Sequence, residues 1–259
     1  MMPLFLLSSE GGDPILRVLQ HALDHTLFHL GPIPVSKFSV MVVISGALLV
    51  LMAMVLNRAS PVPRGFLRNA MESLMLFIRD EMARPVMGKQ YADRFLPFFC
   101  TIFLFILTMN LMGMVPIPVV GGTATSALPV TGILAAIVLL VSIGSGLVLH
   151  GPNGFLKIFV PPGLPTALVP LLFVLELVGF FIKHAVLMVR LFANMIAGHL
   201  VIGAFIGLIF LAKSYGVAGP SILLALFISL VELLVAFLQA YVFTLLSVLF
   251  IGGVVHPEH

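Results

Sequence analysis

Apolar stretches of about 17 residues or more recur along this chain, each long enough as a helix to cross the roughly 30 Å hydrocarbon core of a bilayer. Nothing else in the sequence restricts the fold so strongly. Inside hydrocarbon every backbone N–H and C=O must find a partner within the protein, which makes the α-helix the default spanning element. With 61% of its residues apolar and only 9% charged, the chain has lipid as its main solvent. Three spans come first, at about 39–56, 95–114 and 130–150. Two longer stretches follow, 166–212 and 221–253, separated by the polar turn KSYGVAGP (213–220). As a helix the first of these would run on the order of 70 Å, so it must tilt, bend or break. The expected fold is an all-α polytopic membrane protein, one membrane domain over 1–259 with five crossing helices and an amphipathic surface helix.

Loop charge sets the orientation. The segment 57–94 holds Arg58, Arg64, Arg68, Arg79, Arg84, Lys89 and Arg94, whereas 115–129 holds no lysine or arginine, so the basic segment is expected in the cytoplasm. The N-terminal segment 1–38 then lies outside and the C-terminus inside. Within the basic segment Leu67, Met71, Leu74, Met75, Ile78 and Met82 recur at helical spacing, with Arg68, Asn69, Glu72 and Arg79 opposite, the pattern of a helix lying on the membrane surface. A net charge of +3 comes from these membrane-flanking residues and does not imply nucleic acid. The single Cys100 lies in an apolar segment and reads as helix packing, which excludes an internal disulfide. The first thirty residues carry Glu10, Asp13 and Asp24 and lack the basic start of a cleavable signal. His21, His25 and His29 have metal-ligand spacing, but an amphipathic outer helix is the preferred reading and no metal is assigned.

The polar residues inside the long stretches carry the chemistry. Glu176, Lys183 and Arg190 are seven apart and so make one stripe down a helix, which Asn194 extends by a turn; His199 points away from it. On the last stretch Glu232 and Gln239 share a face, with Tyr241 and Thr244 nearby. Joined by a short turn, the two stretches can pair as a hairpin. Taken singly, Glu176 and His199 could each be a neutral packing residue, Lys183 could snorkel to the headgroups, and Asn194 and Gln239 could be interhelical glue. Arg190 is harder to explain away. A guanidinium at the bilayer centre costs from about 3 to more than 10 kcal/mol, and the structural alternative is an ion pair with Glu176 or Glu232.

An arginine does not give up its proton, so it acts on a proton path as a barrier rather than a relay. It lowers the pKa of a carboxylate brought near it and expels that carboxylate's proton; moving the carboxylate away into lipid favours reprotonation. Glu176 falls on the cytoplasmic side of Arg190, and His199 and Glu232 on the outer side. The arrangement is that of two offset half-channels.

At these residues the chain closely resembles subunit a of F-type ATP synthases. RLFANMIAGH (190–199) with Glu176 and Lys183 before it, VELLVAFLQAYVFTLL (231–246), MNLMGMVP (109–116) and GGDPILRVLQHALDH (11–25) carry the resemblance over nearly the whole chain. It implies that Arg190 faces the carboxylates of a rotating c-ring, that His199 and Glu232 belong to the outer half-channel, with Asn194 and Gln239 near its inner end and Asn110 close by, and that Glu176 lines the inner one. The last two helices are then strongly tilted against the ring. The implied partners are the c-ring, peripheral-stalk b subunits, membrane lipid and protons, with no cofactor and no nucleic acid. Such a subunit is not an enzyme on its own, and the chain has no Walker A glycine loop. A bacterial cytoplasmic membrane is the expected location, a mitochondrial or plastid membrane the alternative. Two rival classes are a secondary transporter, which should show paired interrupted spans that are absent from the sequence, and an inert scaffold that keeps Arg190 permanently paired.

Overall fold

The computed structural model describes residues 26–30, 33–57, 65–114, 124–160, 165, 168–212 and 215–256; within these, the side chains of residues 26–35 and of His199, among others, are outside the description. Five helices are long and apolar enough to cross a membrane. The chain is thus a multi-pass helical membrane protein. In order, α1 is Lys37–Asn57, α2 Phe66–Phe77, α3 Arg84–Met114, α4 Leu128–Ile158, α5 Val169–Ala212 and α6 Tyr215–Val255. A six-residue π-helical turn, Ile78–Ala83, joins α2 to α3, and a 3-10 turn, Ala124–Ser126, precedes α4.

A short antiparallel ribbon precedes α1, with β1 at Thr26–Leu30 and β2 at Ile33–Ser36. His29 of β1 pairs with Pro34 of β2, so a helix carrying all three N-terminal histidines does not form; His21 and His25 lie outside the described residues. The local chemistry accounts for the difference, because Gly31-Pro32 interrupts a run of strand-favouring Phe, Leu, Ile and Val, and Pro34 has no N–H to continue a helix.

Two crossings extend beyond their expected ends by bending. α3 turns at Gly88 (φ 70°, ψ 170°) and α4 at Gly151 (φ 68°, ψ 171°), a left-handed region open to glycine but strained for residues with a Cβ. The turn expected at 213–220 is also shorter, since Tyr215 to Pro220 already belong to α6. Pro220 lies inside that helix, in its second turn, where its missing N–H costs one intrahelical bond, to the Gly216 carbonyl. By contrast α5 runs unbroken for 44 residues, about 66 Å. Neither break nor sharp bend relieves its length. A helix that long fits a hydrocarbon core of about 30 Å only when steeply inclined.

The core lies where α6 packs against α3, α4 and α5, with α1 against α3. Phe99, Phe103, Ile106 and Met109 of α3 meet Val138 of α4, Leu187 and Leu191 of α5, and Phe243, Val248 and Ile251 of α6. Of the expected apolar face, Ile78 and Met82 are buried in the π-helical turn and Met71 and Leu74 are half-buried, whereas Met75 is exposed; on the polar side Arg68 and Arg79 are half-buried. The segment meets α6 through its π-helical turn and through Phe77, whose ring is 6.0 Å from that of Tyr241. Asp80 anchors the polar side of this segment, accepting from Arg79 Nε at 3.0 Å and from Arg84 Nη1 at 2.6 Å. The hydrogen bond from Arg79 holds the Asp80 carboxyl below its ordinary range, so this contribution is present at neutral pH and fades as pH falls through the lowered value. A smaller aromatic cluster of Phe155, Phe159, Phe173 and Phe180 closes the far end of α4 against α5 and the last turn of α6.

Candidate ion-path site on the long helical pair

Contacts along α5 and α6 march in opposite directions, as an antiparallel pair requires. Gly198 lies against Glu232, Asn194 bonds Gln239, the His184 ring is 4.8 Å from that of Phe250, and Phe180 shares a cluster with Val254. This register brings the two polar faces read from the sequence onto one another.

At one end, Glu232 is 5% exposed and its carboxyl fills the space where Gly198 lacks a side chain. A Cβ there would stand 2.7 Å from Glu232 Oε1 and 3.0 Å from its carboxyl carbon, so only glycine admits this approach without displacement. His199 follows Gly198 in the helix, but its side chain lies outside the described residues.

One turn nearer the middle, Asn194 Nδ2 donates to Gln239 Oε1 at 2.8 Å. Gln239 is 3% exposed, and its Nε2 has no partner among the described residues. Interhelical bonds of this kind contribute about 0.6–2 kcal/mol in membrane helices. We expect a double-mutant cycle with Asn194→Ala and Gln239→Ala, read by reversible unfolding in detergent, to give a coupling of about 1 kcal/mol; additive effects would mean that the bond does not tie the helices.

Asn110, fully buried on α3, donates to the Ala236 carbonyl at 3.2 Å and accepts from Thr125 Oγ1 at 2.7 Å. Ala236 is one turn from Glu232, so Asn110 and Thr125 brace the stretch of α6 that carries Glu232 and Gln239. Thr125 was not singled out from the sequence, because it sits in a connecting segment with no periodicity to reveal it. Of the hydroxyls expected nearby, Thr244 is spent on its own helix, bonding the Ala240 carbonyl at 2.9 Å, and Tyr241 turns to Phe77.

Towards the other end, Lys183 Nζ approaches Glu176 Oε1 at 3.7 Å, both side chains about half exposed. His184, the next residue, turns inward and is 3% exposed. Its Nδ1–H donates to the Phe180 carbonyl at 2.9 Å, and its ring stands 4.8 Å from the rings of Phe180 and Phe250. It too went unnoticed in the sequence, being off the stripe by the 100° that separates consecutive helical residues.

Arg190 lies between these groups, exposed on the same face as Glu176 and Lys183. The ion pairs among the described residues are Arg79–Asp80, Arg84–Asp80, Arg84–Asp93 and Lys183–Glu176, and Arg190 is in none of them. The alternative of a permanent pair with Glu176 or Glu232 therefore does not form. At 1.5 Å per residue Arg190 is about 12 Å along the axis from Gly198 and about 21 Å from Glu176. Around it Val178, Ile182, Val186 and Val189 are each about half exposed.

Fold and site together define a multi-pass membrane protein whose longest helix exposes an arginine that is in no ion pair among the described residues, with Glu176 towards one end and Glu232 towards the other. Comparison with known proteins agrees. The family model described as ATP synthase A chain matches residues 39–252, and the chain belongs to this family. It is similar to ATP synthase subunit a of Chloroherpeton thalassium, 48% identical over 202 residues that make up 76% of this chain and 58% of the relative. With the subunit a of Anaeromyxobacter sp. it is 43% identical, covering 86% of this chain and 55% of the relative, and with that of Myxococcus xanthus 39% identical, covering 97% and 80%. The chain thus spans somewhat over half the length of the first two relatives.

Proposed function

We propose that this chain is the proton-conducting stator subunit of an F-type ATP synthase in a bacterial cytoplasmic membrane, a non-catalytic partner of a rotating c-ring and of peripheral-stalk b subunits. The observation that carries this reading is the exposed Arg190 without a carboxylate partner among the described residues. Left against lipid, such a charge is costly; placed against another subunit's carboxylate, it is compensated. A ring whose carboxylates pass Arg190 one after another supplies that compensation and moves protons at the same time.

Glu232, tucked against Gly198, and the neighbouring His199 serve the outer half-channel, whose inner end lies at Asn194 and Gln239, with Asn110 bracing it. Glu176, beside Lys183, serves the half-channel that opens to the cytoplasm. Arg190 separates the two, so a proton crosses only by riding the ring. Each proton descending the membrane potential releases about 2.3 kcal/mol per 100 mV, which the ring delivers as rotation.

Cysteine cross-linking in the assembled complex tests the geometry. In a Cys100→Ser background, Val186→Cys and Ala193→Cys, both exposed within a turn of Arg190, should form disulfides with cysteines placed beside the ring carboxylate, whereas Leu187→Cys, fully buried, should not. Cross-links absent from both exposed positions would remove the ring from this face.

A further inference from the structure

Between α3 and α4 the structure holds a cleft of about 240 Å³ lined by Tyr91, Arg94, Phe95, Gly144, Ser145, Val148 and Leu149. It is remote from the Arg190 face and takes no part in the proposed proton path. Its lining joins apolar Phe95, Val148 and Leu149 to the cationic Arg94. Asp93, the residue beside Arg94, is drawn to Arg84 at 3.2 Å, and among the described residues no carboxylate pairs with Arg94. The Arg94 guanidinium therefore has no carboxylate partner among the described residues and shares the cleft's lining with Tyr91. Arg94 immediately precedes the apolar run 95–114, which places the cleft where headgroups end and hydrocarbon begins.

The opposite wall continues the argument. Leu140, Gly144 and Val148 fall on one stripe of α4; Leu140 is 66% exposed and Val148 80%, while a Cβ on Gly144 would meet nothing within 4 Å. Two exposed aliphatic side chains with a gap between them make a trough that runs from the cleft into the bilayer. An acyl chain fits this trough, and a phosphodiester fits the donors above it, since arginine offers a planar fork to phosphate oxygens.

We infer that the Tyr91–Arg94 cleft is a binding site for an anionic phospholipid, its phosphate held by Arg94 and Tyr91 and one acyl chain lying along Leu140, Gly144 and Val148. Charge decides the headgroup: a zwitterionic lipid brings its own cation to the cleft, whereas an anionic one leaves the guanidinium as the phosphate's only counter-charge. Such a lipid bridges α3 and α4 on the side of the basic segment.

The full-length chain in phosphatidylcholine nanodiscs, doped with photoactivatable phosphatidylglycerol or with photoactivatable phosphatidylcholine, gives the test, with adducts mapped by mass spectrometry. Phosphatidylglycerol should label the cleft residues in excess over phosphatidylcholine. Arg94→Gln should cut that labelling about fivefold, the ratio that one juxtamembrane basic contact sets, and Arg94→Lys should restore most of it. Gly144→Leu, which fills open space and leaves the packing intact, should block both lipids. Equal labelling by the two lipids in the unaltered chain, or phosphatidylglycerol labelling that survives Arg94→Gln, would overturn the assignment. So would photo-cross-linking from the cleft of the assembled complex into a neighbouring protein helix instead of lipid.

Discussion

Arg190→Ala is expected to abolish proton-driven ATP synthesis in reconstituted vesicles while leaving the complex assembled. The substitution removes no contact from the chain's own core, because Arg190 is exposed and enters no ion pair among the described residues. Relieving the chain of an unpaired membrane charge should, if anything, ease its insertion. What disappears is the fixed cation that keeps a passing carboxylate ionised and keeps the outer and inner polar groups from exchanging protons directly. Rotation then loses its obligatory link to proton flow, and the vesicles should leak protons without making ATP. Arg190→Lys should rescue poorly, since a lysine in an apolar site can shed its proton and cease to be a barrier. Measurement of ATP synthesis beside the rate of pH-gradient collapse separates these outcomes. Normal synthesis in Arg190→Ala vesicles would sink the proposed function outright.

The polar stripe was legible in the sequence for a simple reason: in an apolar run of membrane length each charged residue stands out, and seven-residue spacing fixes its face whatever the tilt. The hairpin followed from the short polar turn. Harder to read was which residue meets which. Spacing placed Asn194 and Gln239 on faces of their helices, but only the register joins them at 2.8 Å. The same holds for Asn110 and Thr125, fifteen positions apart, whose bond depends on how the 3-10 turn folds back. Gly198 stands in the long apolar stretch with nothing local to mark it, and its use, making room for the Glu232 carboxyl, belongs to tertiary structure. The bends at Gly88 and Gly151 were missed because a glycine inside an apolar pattern reads equally as packing or as punctuation, and the backbone conformation alone distinguishes them. The N-terminal ribbon was missed for a related reason. Histidines at four-residue spacing suggested a helix, whereas the chain's turn is set by Gly31-Pro32 and Pro34, which follow the last of them.

Glu232 and Gly198 make the second large-effect prediction, because the contact between them separates loss of chemistry from loss of position. Glu232→Gln keeps the side chain's shape, so the close fit against Gly198 and the α5–α6 pairing should survive and the complex should assemble in normal amounts. A glutamine cannot take up and release protons, however. If Glu232 relays protons, flux through the reconstituted complex should fall on the order of a hundredfold, the lower end of what a positioned proton-transfer group contributes. Gly198→Ala leaves the carboxylate in place chemically but puts a Cβ 2.7 Å from its Oε1, nearer than contact allows. The atom in the way is the far end of a flexible side chain, not backbone, so the helices need not part; the carboxyl shifts instead. That variant should assemble and show a smaller loss of flux, and Gly198→Val a larger one. A scaffold role predicts the reverse order: Gly198→Val would damage assembly, whereas Glu232→Gln would leave proton flux unchanged at every pH. That last result would remove Glu232 from the path.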